Sequence, residues 1–267
     1  MKEYTIRLFT NGMGPKREKS RFTYLNFYGQ PVDIPYIIWY VEGAEKKIII
    51  DAGCSAEDFR EIMKGGSKEK LTRGGETYVD VVDVTPLEVG LKKFDLTPED
   101  VDVVILTHLH FDHVLGIQKF KNARVFVQEE EWKYVYNHHI LMDPGFAPMW
   151  FYDRMRNLEF VKGDAELFPG IEVMLSPGHT LGGQSVVVNT KKGRYAISGF
   201  CAVYHNFYPP EEFKKAMTRY PYPVIPSGIH INSTMAYDST LKLVQMFGER
   251  VLPLHEQALM KVDRIPE

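Results

Sequence analysis

The chain has 267 residues, 44% hydrophobic and 25% charged, proportions that fit a folded soluble protein and exclude a fibrous repeat or a disordered tail. A formal charge of −3, with basic runs no longer than pairs such as Lys16-Arg17 and Lys46-Lys47, argues against a phosphate-backbone partner, so no nucleic acid is expected. Two cysteines are too few for a disulfide framework, the amino terminus is charged where a signal peptide is apolar, and no window reaches the roughly 18 apolar residues of a membrane span, so the expectation is a cytoplasmic protein without a membrane partner.

In chain order, β-branched and aromatic runs predict strands over residues 4–9, 36–41 and 47–50. A helix pattern follows at 56–64, then a Gly- and Lys-rich surface loop at 65–78, then a helix at 86–94. Thr97-Pro98-Glu99-Asp100 is a turn whose acidic residues suit a helix start. The apolar run 101–106 has the pattern of a strand buried on both faces. Further strands are predicted at 124–127, 171–175, 185–188 and 195–197, and helices at 129–136, 211–220 and 236–247. The segment 138–156, rich in Met, Phe, Trp and Pro, has no clean period; it covers a substrate pocket, makes a homodimer contact, or packs into the core. Strands that cluster and then alternate with helices predict an α/β fold with mixed sheets, and the length fits one domain spanning 1–267.

Residues 108–113 read His-Leu-His-Phe-Asp-His, directly after the predicted buried strand. A lone histidine at a strand end is ordinarily a satisfied polar residue. Three histidines and an aspartate within six positions, from nine histidines in the whole chain, favour metal ligation instead. His108 and His110 are two apart, so in an extended strand exit both imidazoles point the same way and grip one metal. Asp112 and His113 follow where the chain turns toward a helix and serve a second metal beside the first. His179, presented by the Pro177-Gly178 turn after the strand at 171–175, completes three histidines for the first metal. His255, just after the apolar stretch 251–254, joins Asp112 and His113.

Five segments appear in an order similar to that of the metallo-β-lactamase fold. They are Ile48-Ile49-Ile50-Asp51-Ala52-Gly53, Thr107-His108-Leu109-His110-Phe111-Asp112-His113, Ser176-Pro177-Gly178-His179-Thr180, Ser198-Gly199-Phe200-Cys201-Ala202-Val203-Tyr204 and Leu252-Pro253-Leu254-His255-Glu256. Within that fold the chain most resembles acyl-homoserine-lactone lactonases and related small-substrate hydrolases. The resemblance implies a four-layer αββα sandwich with two related halves and a dinuclear metal site on one edge. Two Zn2+ ions are expected, with iron or a mixed pair as alternatives. Asp51 would orient a ligand histidine, or simply cap the turn before Gly53.

The family has a metal-bridging aspartate where Cys201 stands, and Tyr204, three residues later, supports that register. A thiolate also ligates and bridges, favouring zinc or iron over manganese or magnesium; otherwise Cys201 is a small buried residue without a chemical role. Cys54 reads as structural. The implied reaction opens a small lactone, ester or cyclic amide by attack of a metal-bound hydroxide. In it, Tyr204 donates to the oxyanion and Asp112 carries a proton to the leaving group. His205 lines the pocket or stands beside it, His230 packs beside Ile229 and Ile231, and His138 and His139 lie on the surface. The rival readings are an iron-dependent redox enzyme of the sulfur dioxygenase type, a phosphodiesterase, and a non-catalytic metal-binding protein. The partner in the leading reading is a small-molecule substrate, its walls drawn from loops such as 31–36 and 138–156.

Overall fold

The computed structural model describes residues 2–64, 72–73, 76–77, 81–212 and 222–266. Besides a two-stranded pair, Thr72–Arg73 and Glu76–Thr77, the strands of its two larger sheets are, in chain order, β1 (Thr5–Glu18), β2 (Pro31–Glu42), β3 (Ile48–Ile50), β4 (Val82–Asp83), β5 (Val103–Ile105), β6 (Arg124–Gln128) and β7 (Leu158–Val161). They continue as β8 (Ala165–Phe168), β9 (Ile171–Leu175), β10 (Gln184–Thr190), β11 (Gly193–Ile197), β12 (Val251–Leu252) and β13 (Arg264–Ile265). One eight-stranded sheet runs β13-β1-β2-β3-β5-β6-β7, with β4 on the flank of β1. The other runs β8-β9-β10-β11-β12. Both are mixed: β2 and β3 pair antiparallel but β3, β5, β6 and β7 run parallel, and β12 is the parallel edge of an otherwise antiparallel sheet.

Alternation along the strands fixes how the sheets stack, because successive side chains point to opposite faces. Ile37, Trp39, Val41, Ile48, Ile50, Val103 and Ile105 meet Ile171, Val173, Val186 and Val188 in one buried cluster between the sheets. The intervening residues Tyr36, Ile38, Tyr40, Ile49 and Val104 pack outward against the Ala56–Lys64 and Leu87–Lys92 helices. On the second sheet, Met174, Val187 and Ala196 pack against Leu243 and Phe247 of the Ser233–Phe247 helix. Helices therefore cover both outer faces, giving the four-layer αββα sandwich that the family resemblance implies.

The predicted strand at 4–9 continues to Glu18, with register shifts at Thr10/Gly12 and Gly14/Arg17. The predicted helix at 56–64 has those bounds, and the one at 236–247 begins earlier, at Ser233. Of the predicted helix at 211–220, residues 213–220 lie outside the described residues, as does most of the loop at 65–78. Among the described residues no helix is long and apolar enough to cross a membrane.

Candidate metal centre

Every candidate ligand stands just past the carboxyl end of a strand. β5 ends at Ile105 and leads to His108 and His110; β9 leads to His179, β11 to Cys201 and β12 to His255. His110 keeps an extended backbone, φ −70° and ψ 154°, and caps the short Phe111–Val114 helix. That change from strand to helix turns Asp112 and His113 away from His108 and His110, so one short segment serves two places. His108, His110 and His179 form one group of potential ligand atoms, and Asp112, His113 and His255 form another, each with its atoms within 4.8 Å of one another.

The partners of the outer ring nitrogens decide where the lone pairs point. His179 Nδ1 faces the Ile229 carbonyl at 2.6 Å and His255 Nδ1 faces the Pro35 carbonyl at 2.9 Å, so both donate from Nδ1 and present a bare Nε2 inward. The Thr107 hydroxyl donates to Asp51, so at 3.2 Å from His108 Nδ1 it accepts, and His108 also presents a bare Nε2. The Nε2 atoms of His108 and His179 then face each other at 3.2 Å, two lone pairs that only a cation between them reconciles. Ligand atoms about 2.0–2.1 Å from a tetrahedral zinc are about 3.4 Å apart, close to that separation. In the second group Asp112 Oδ2 lies 3.5 Å from Nε2 of both His113 and His255. Nε2 of His110, His113 and His255 is buried with no hydrogen-bond partner. The donor sets fit two metal ions.

Electrostatics agrees with this. Burial, reinforced by the neighbouring histidines, holds His108 and His110 well below the ordinary imidazole value, while burial holds His179 and His255 down at about 4. All four are neutral at pH 7, as metal ligation requires. Burial also opposes charge on His113, but Asp112 and Asp51 at its two ring nitrogens outweigh it and push it up to about 10. Burial likewise works against the Asp112 carboxylate, and His113 and His255 overcome it, keeping the group well below the usual range. A proton on His113 thus sits where a metal ion would.

Two buried carboxylates hold the ligands from behind. Asp51 accepts from His113 Nδ1 at 2.7 Å, from the Thr107 backbone N–H at 2.8 Å and from its hydroxyl, joining the end of β3 to the ligand segment. Glu131, on the Glu129–Val135 helix, was not singled out by sequence reasoning. It accepts the backbone N–H of Leu109 on one oxygen and that of Gly182 on the other, both at 3.0 Å. It therefore ties the loop of His108 and His110 to the loop of His179. Its one sequence signal, a glutamate on the inward face of a short helix, is indistinguishable from an exposed one without the fold.

A cavity of about 140 Å³ opens onto both groups. The segment 138–156 covers it: Met142, Pro144 and Gly145 line it, and Phe146 packs on His110 with ring centroids 4.6 Å apart. Cys201 lines the cavity but belongs to neither group of three, and burial raises its thiol well above the ordinary value. Tyr204 departs from the expected position. Its backbone N–H is tied to Glu256 and it opens the short Tyr204–Phe207 helix, so its ring packs on the inter-sheet core and is not among the cavity walls; Tyr36 is. His205 packs on Phe27 at 4.8 Å. His230 packs edge-on to Tyr24 at 4.9 Å. His139 is exposed, whereas His138 is half-buried against Phe146.

The sequence profile of the Metallo-beta-lactamase superfamily matches residues 36–250. An N-acyl homoserine lactonase from a Bacillus species is 28% identical over 166 residues, 61% of this chain and 62% of that protein. The aligned part thus spans less than two thirds of that relative. The N-acyl homoserine lactonase of Rhizobium rhizogenes is 24% identical over 230 residues, 82% of this chain and 76% of that protein. A solved N-acyl homoserine lactone hydrolase, with N-hexanoyl-L-homoserine bound at its catalytic metal centre, superposes with a TM-score of 0.72 at 20% identity, covering 100% of this chain and 99% of that one.

Proposed function

Because the chain belongs to the metallo-beta-lactamase superfamily, we propose that it is a metal-dependent hydrolase, lactonase-like, that opens a small lactone, ester or cyclic amide with water. The observation that carries this reading is the pair of converging ligand groups whose inward nitrogens are bare and whose outward nitrogens are anchored. The site would hold zinc at His108, His110 and His179 and again at Asp112, His113 and His255, with Cys201 as a further ligand from the wall. Two such ions supply Lewis acidity toward a carbonyl and lower the pKa of water toward 7.

The chain's own residues do the rest. Asp112, ionised at neutral pH, takes the proton of the attacking water at its free carboxylate oxygen and delivers it to the leaving alkoxide or amine. Tyr36 accepts a hydrogen bond from Arg17, which leaves its O–H to donate into the cavity, so we assign the oxyanion contact to Tyr36 in place of Tyr204. Phe22, Ile34 and Phe111 exclude water from the reacting carbonyl. The relatives named as N-acyl homoserine lactonases support lactones as the first substrates to try.

The test is a proton-release screen across lactones, esters, cyclic amides and phosphodiesters, run on the wild type and on Asp112→Asn. The reading expects hydrolysis of at least one carbonyl class, lowered by about 10²-fold or more in Asp112→Asn. Turnover of phosphodiesters alone would overturn it.

A further inference from the structure

Leu109 stands between His108 and His110, fully buried, and its peptide groups are held from two sides. Its backbone N–H donates to Glu131, and its carbonyl accepts the Tyr152 hydroxyl at 2.7 Å. The same hydroxyl oxygen accepts the Ala147 backbone N–H at 3.0 Å. Tyr152 ends the short Met149–Tyr152 helix and is itself fully buried; burial raises its phenol well above the ordinary value, so it remains a donor. Ala147 belongs to the stretch that seats His110. An isolated antiparallel bridge joins His110 to Phe146, the Phe146 ring packs on the His110 imidazole, and Gly145 comes so close that a Cβ there would stand 2.7 Å from His110 Nε2. One hydroxyl therefore fastens the stretch that covers the cavity to the loop that carries two ligands.

We propose that Tyr152 is a positioning residue for the first metal: by holding the Leu109 carbonyl and the Ala147 N–H on one hydroxyl, it couples the seating of residues 145–147 to the geometry of His108 and His110. The inference rests on the metal-site reading above and goes beyond it by naming what sets the first group and what the covering segment does for it. The coupling is reciprocal, so a metal at His108, His110 and His179 steadies the covering stretch, and loosening that stretch weakens the metal. The second group is anchored elsewhere, His113 by Asp51 and His255 by the Pro35 carbonyl, so it feels the change far less.

The experiment measures zinc affinity by competition with a chromophoric chelator, with and without Tyr152→Phe, in two backgrounds. His255→Ala keeps only the first group intact, and His179→Ala keeps only the second. Tyr152→Phe is expected to weaken zinc about tenfold or more in the first background and less than about twofold in the second. Val188→Ala, which opens a gap in the core between the sheets, should loosen the fold and leave both affinities unchanged. A second readout needs no substitution: zinc added to the wild type should slow amide hydrogen exchange of residues 141–147 by about tenfold, and should slow it less in Tyr152→Phe. Equal losses of affinity in the two backgrounds, or exchange in the wild type that zinc leaves unchanged, would overturn the proposal. Neither readout depends on turnover. A protein that shows both effects and hydrolyses nothing in the substrate screen would support the role of Tyr152 and count against the hydrolase reading; one that hydrolyses a lactone and shows equal losses would do the reverse.

Discussion

Asp51 holds a left-handed backbone, φ 59°, at a position fully buried between β3 and the ligand segment. A residue other than glycine in that conformation is strained, and here the surroundings that impose it also aim the carboxylate at His113. Asp51→Asn keeps the shape but removes the charge that faces His113, and should weaken metal binding at the second group by about 10–100-fold, read by chelator competition. Glu131→Gln is a sharper case, since each carboxylate oxygen accepts a different backbone N–H, and an amide must turn its NH2 toward one of those donors. The expected cost is about 1–3 kcal/mol in chemical denaturation, together with weaker binding at the His108 group.

The histidines also predict a pH signature. In metal-free protein His179 and His255 stay neutral down to about 4, whereas in the unfolded chain they protonate near 6.5. The unfolded state then binds more protons between those values, so stability rises with pH across that window and is flat above it. His113, raised to about 10, works the other way: its contribution is complete below 6.5 and is lost as pH climbs toward 10. Chelated protein should show a maximum in Tm near pH 6.5, and metal-loaded protein should lack the alkaline decline, because the metal replaces the His113 proton. A chelated protein whose Tm keeps rising to pH 9 would contradict this.

Among the elements, the turn Pro177-Gly178-His179 depends on a close approach. A Cβ on Gly178 would lie 2.2 Å from the Ala236 nitrogen, and φ is 128°, so only glycine lets the Ser233–Phe247 helix pack onto the His179 turn. Leu243 anchors that helix, and Leu243→Ala should cost about 3 kcal/mol in chemical denaturation. On the opposite side a Cβ on Gly145 would stand 2.7 Å from His110 Nε2, so Gly145→Ala should push the His110 ring off its position. We expect about tenfold weaker binding at the first metal with an unchanged circular dichroism spectrum.

These elements also show where sequence reading succeeds. The buried strand 103–105 and the helix 56–64 announce themselves by uniform or periodic apolar spacing. The second half of β1 does not: Asn11, Gly12, Gly14 and Pro15 have poor strand propensity, and it is the length of β2 beside them that holds them extended. The His108-to-His113 cluster was legible because its ligands are adjacent in sequence. Tyr36 and Glu131 reach the centre only through folding, and Tyr204, expected there from its spacing after Cys201, begins a short helix and is not among the cavity walls.

For the molecule as a whole, candidate ligands from four separate strand ends, Cys201 included, converge on one edge of the sandwich, so metal binding there would tie both sheets together. Binding to the folded state alone stabilises by mass action, so chelation should lower Tm and added zinc should restore it. A Tm insensitive to both would count against the centre. The central claim is that His108, His110 and His179 hold one metal and Asp112, His113 and His255 another. Its most direct test is metal content by plasma mass spectrometry on the purified chain and on His179→Ala and His255→Ala. The account predicts two transition-metal equivalents in the wild type and about one in each variant; a wild-type chain that takes up none from zinc-supplemented medium would contradict it.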